Sequence, residues 1–94
     1  MTLTVQHIRL GNVDDYHGVL VLDGDVLVAV LAQLSLDHGE RVGHWFLEHG
    51  FGVGLVTDAP FADLKIACDW IEARIEQRDQ EAAAALLRAG RRDL

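Results

Sequence analysis

Ninety-four residues, half of them hydrophobic and only one of them proline, describe a single small folded domain (1–94) and exclude a disordered chain. A formal net charge of −7 argues against general nucleic-acid binding, because acidic surface repels phosphate. The lone cysteine, Cys68, leaves no intramolecular disulfide, no charged-then-apolar leader follows Met1, and no apolar run approaches the ~20 residues of a membrane span, so a cytoplasmic protein with no membrane contact is expected.

The charge is uneven. Residues 1–58 hold eight acids against two bases, a balance of −6, and residues 59–94 hold seven acids against six bases, a balance of −1. The first part of the chain is therefore the acidic part. It would suit a basic protein partner, although the same acids also serve to keep an apolar domain in solution.

Residues 2–10, TLTVQHIRL, read as a first strand. Leu3, Val5 and His7 share one side, and Thr4, Gln6, Ile8 and Leu10 the other. Residues 11–16, GNVDDY, are a polar break rich in turn formers. Strands at 17–22 and 26–34 then fold about Asp23-Gly24, a pair that supplies positive φ cheaply to a tight hairpin. The second of these is apolar on both parities: Val26, Val28, Val30 and Ala32 on one, Leu27, Ala29 and Leu31 on the other. A sheet in a small domain normally wets one face and alternates accordingly. This one needs cover on two sides.

Residues 35–43 form a connection, and 44–51, HWFLEHGF, a fourth strand rich in aromatic residues. Trp45, Leu47, His49 and Phe51 share one parity; His44, Phe46 and Glu48 share the other. Trp45 and Phe46 must therefore face opposite ways. One belongs in the core and the other under whatever covers the far face. The glycines at 50, 52 and 54 predict a bulge or bend, and 53–56 is a short extra strand or an exit loop.

The remainder is helical. Asp58 and Asp63 compete as N-cap; Asp63 is favoured because Leu64, Ala67, Cys68, Ile71 and Ile75 then form a stripe from the first turn. The helix is expected over 63–77. The segment EAAAALLRA (81–89) either continues it or forms a second helix, Gly90 reads as a stop, and 90–94 as a frayed tail. The fold class is α+β, an antiparallel meander of three to four strands packed by a C-terminal helix. This element order is similar to part of the double-stranded-RNA-binding domain. The likeness stops there, because that domain's lysine-rich helix start is replaced here by Asp63, Lys65 and Asp69.

No catalytic set and no cofactor motif emerges. The nearest approach to a metal set is His44, Glu48 and His49, residue types that zinc accepts, but on a regular strand His44 and His49 point to opposite faces. No metal site is expected there without a bulge or a helix. Cys68 reads as a small core residue. The Gly50-Phe51-Gly52-Val53-Gly54 run lacks the lysine and following helix of a phosphate loop. The leading expectation is a small non-catalytic interaction or accessory domain that works as a homodimer, with Val28, Val30, Trp45 and Phe46 at the partner surface. One alternative is a small-ligand-binding protein or enzyme with a His/Glu pocket in which His44, Glu48, His49 or Tyr16 supply the polar groups. Another is an acidic, antitoxin-like inhibitor that docks on a basic partner.

Overall fold

The computed structural model describes residues 3–11, 17–34, 39, 42–52 and 55–92, with the backbone alone described at 90–92. Four strands, β1 (Leu3–Arg9), β2 (His17–Asp23), β3 (Val26–Gln33) and β4 (Trp45–Gly50), precede one helix, α1 (Leu64–Arg92). The strands pair in chain order as an antiparallel sheet, β1-β2-β3-β4. The α+β meander is as the sequence predicts.

The β2–β3 turn sits one residue later than expected. Asp23 pairs with Val26, so the loop is Gly24-Asp25, and Gly24 has φ +63°. A glycine at the first loop position with positive φ there alone is the type II′ pattern, whose twist matches that of the flanking strands. Positive φ thus falls on Gly24, where no Cβ opposes it.

Two irregularities in pairing change which side chains share a face. Val21 pairs with Ala29 and Leu22 with Leu27, so Val28 is an extra residue in β3. Val30 pairs with His49 and Leu31 with Leu47, so Glu48 is an extra residue in β4. An inserted residue reverses the alternation beyond it. Leu27 consequently joins Val30 and Ala32, against the simple alternation of the sequence, while Ala29 and Leu31 share the other face.

Helix α1 covers the face of Ala29 and Leu31. Its residues Ala67, Ile71 and Ile75 meet Val19, Val21, Ala29, Leu31, Trp45 and Leu47 in one buried cluster, with Leu64, Cys68 and Trp70 packed at its margin. Leu55 and Phe61, from the segment joining β4 to α1, close the cluster. Two features steer that segment onto this face. A Cβ at Gly50 would collide with the Leu55 carbonyl, so glycine allows the chain to fold back close over the sheet. Phe61 and Trp45 then exchange two backbone hydrogen bonds, each 2.7 Å, pinning the segment beside β4. Of the 53–56 segment, Leu55 and Val56 lie outside any strand, and Val53 and Gly54 are outside the described residues.

Asp63 is the N-cap. Its Oδ1 accepts a hydrogen bond from the Ile66 amide at 2.8 Å, satisfying a donor that has no partner within the helix. From there α1 runs without a break through 81–89 and past Gly90 to Arg92. The stop expected at Gly90 is absent. A single glycine costs a helix about 1 kcal/mol against alanine, a penalty the preceding run of alanines and leucines offsets. Asp93 and Leu94 lie outside the described residues.

Candidate functional site

The face of the sheet turned away from α1 is the first candidate. Register places on it Thr4, Gln6 and Ile8 from β1, Gly18, Leu20 and Leu22 from β2, Leu27, Val30 and Ala32 from β3, and Phe46 and His49 from β4. Ile8, Leu20, Leu22, Leu27, Val30 and Phe46 are half-buried, in contrast to the nearly complete burial under the helix. One corner is filled from within the chain. The Leu10 side chain lies where a Cβ of Gly18 would stand, beside the fully buried Ala32. Phe46 and Val30, expected at a partner surface, lie on this face. Val28 and Trp45, expected there too, are 5% and 6% exposed members of the core and offer a partner no surface. Val28 is held in by the bulge, and Trp45 by its pairing with Phe61.

The histidine–carboxylate set of β4 does not assemble into a ligand cluster. The extra residue Glu48 brings His49 onto the Phe46 face, but His49 is exposed and stacks edge-on with Phe51 at 4.4 Å. Glu48 is exposed in the bulge, and His44 lies before the strand with its Nδ1 buried and without a hydrogen-bond partner among the described residues. Among those residues no three histidine, cysteine or carboxylate groups converge as metal ligands would. Tyr16 lies outside the described residues.

A different histidine pair does form. His7 on β1 and His17 on β2 are diagonal neighbours, since His7 pairs with Val19 and Arg9 with His17. His7 Nδ1 and His17 Nε2 stand 3.3 Å apart, and the rings are tilted with centroids at 5.5 Å. His17 also meets Trp45 edge-on at 5.7 Å. Both imidazoles are exposed, at the edge of the helix-covered face beyond the core. The sequence carries only part of the signal for this pair: both residues lie on strands that flank a polar break, and the register between those strands makes them neighbours.

Cys68 lies half-buried on the core side of α1. Burial pushes its thiol pKa up, and the charges of Asp69 and Glu72 push it the same way. A nucleophilic cysteine needs the opposite shift, so its environment is that of a packing residue. Nearby, Trp70 packs against Phe61 at 5.5 Å and carries the Arg74 guanidinium 5.2 Å above its ring. Lys65 and Asp69 form an exposed i,i+4 ion pair at 2.8 Å that raises the lysine pKa and contributes little in water.

No family model, curated protein or solved structure matches the chain. No helix among the described residues is long and apolar enough to cross a membrane.

Proposed function

We propose that the chain is a small non-catalytic interaction domain, accessory or regulatory in role, that works as a homodimer through the helix-free faces of two sheets. The observation that carries this reading is the contiguous, half-buried apolar surface of Ile8, Leu20, Leu22, Leu27, Val30 and Phe46. Its centre holds no charged side chain, and its polar members, Thr4, Gln6 and His49, lie on the two edge strands. An apolar centre inside a polar rim is the anatomy of a protein interface. An uncharged centre has no electrostatic feature with which to select a foreign partner. A second copy matches it apolar to apolar by symmetry, with two sheets stacking about 10 Å apart.

Size-exclusion chromatography with light scattering tests the pairing. At about 10 µM, far above the dissociation constant of an obligate pair, the expected mass is twice the 10.4 kDa of one chain. Phe46→Lys should return the mass to that of one chain with an unchanged circular dichroism spectrum. A wild-type protein that is folded and monomeric at that concentration overturns the proposal.

A further inference from the structure

We propose that His7 and His17 form a two-imidazole chelate for a divalent transition-metal ion of the zinc, nickel and copper class. The carrying observation is the 3.3 Å separation of His7 Nδ1 from His17 Nε2. Two nitrogen ligands of a tetrahedral ion, each about 2.0–2.1 Å from it, stand roughly 3.3–3.4 Å apart. The His7–His17 contact is a ring–ring hydrogen bond in which one of the two nitrogens carries the proton, so on binding that ring takes its other tautomer and both rings tip toward a common point without approaching. Imidazole is the ligand these metals share, whereas magnesium and calcium prefer oxygen.

The pair is also held in place. β1 and β2 are hydrogen-bonded neighbours across seven residue pairs, so the two Cα atoms cannot drift apart independently. His17 packs edge-on against Trp45, itself buried and fixed by Phe61, which limits the ring's rotation. Both imidazoles are exposed, so an ion can reach them without opening the core. No third histidine, cysteine or carboxylate among the described residues joins the pair, so water would complete the ion's shell. Arg9, the strand partner of His17, is already engaged in an interaction, and its charge works against a cation. The net charge of −7 works in the ion's favour at longer range.

The proximity of Trp45 provides the readout, because copper(II) quenches a nearby indole. In the untagged full chain carrying Trp70→Phe, copper(II) should quench Trp45 emission saturably at one ion per chain. Titration calorimetry with zinc(II) should give the same stoichiometry. His7→Gln and His17→Gln should each weaken both by about tenfold or more, whereas His49→Gln should change them by less than about twofold. Arg9→Gln should tighten binding. Circular dichroism checks that the exposed substitutions leave the fold intact. Quenching that never saturates, affinity that survives loss of either His7 or His17, or dependence on His49 in their place overturns the proposal. The experiment is independent of whether the chain pairs with itself.

Discussion

The two faces of the sheet are built from nearly the same side chains and meet different fates. Val19, Val21, Ala29, Leu31 and Leu47 are between 0% and 6% exposed beneath α1, while Leu20, Leu22, Leu27, Val30 and Phe46 across the same backbone are half-buried. Hydrophobicity does not separate them. What separates them is the route of the chain after β4, where Gly50 lets the Leu55 segment fold close over one face and the Trp45–Phe61 bridge holds it there. A strand's alternation therefore states which residues travel together, but not which group is covered.

The helix repeats the comparison along its length. Ala67, Ile71 and Ile75 are buried, whereas Leu86 and Leu87 are 75% and 68% exposed on the same continuous helix. Ala82, Leu86 and Ala89 extend the spacing of Ile71 and Ile75 and meet no sheet. In the first half, packing stabilises the helix; in the second, the propensity of alanine and leucine carries it.

Paired substitutions test this contrast. Leu31→Ala, under the helix, should cost about 2–5 kcal/mol in urea unfolding, because it leaves a cavity in a closed core. Val30→Ala, one residue along on the opposite face, should cost less than about 1.5 kcal/mol when both changes are made in the monomeric Phe46→Lys background. Equal losses at the two positions would mean that the faces are equally covered. Asp63→Ala should cost about 1 kcal/mol by removing the acceptor of the Ile66 amide, and Asp63→Asn should restore most of it. Asp58→Ala serves as the silent control. Smallest of all, Leu86→Ser should change stability by no more than about 0.5 kcal/mol, since its side chain has no packing to lose. A larger loss in the purified protein would show that the distal helix packs against a second copy in solution.

Much of this was legible in the residues. The strands fall within one or two residues of their expected bounds because turn formers separate period-2 segments. Asp63 was readable as the cap because the apolar stripe begins immediately after it. The split of Trp45 and Phe46 to opposite faces follows from simple alternation, and the structure assigns Trp45 to the core. The two differences in face assignment have one source. Simple alternation puts Val28 with Val30 and His49 with Trp45; nothing local marks the extra residue at Val28, and the glycines that signal a bend after β4 do not fix the extra residue at Glu48. Gly90 reads as a stop by residue type, but the helix-forming run before it carries the helix through to Arg92.

Local physics was sufficient for the elements themselves: their number and order, the cap at Asp63 and the stripe from Leu64 to Ile75 each depend on residues a few positions apart. Three matters were settled by contacts distant in sequence. They are the choice of the face that receives α1, the exchange of sides at Val28 and Glu48, and the meeting of His7 with His17. Each depends on how one strand is set against the next, and that setting is fixed only when the whole sheet closes with its helix.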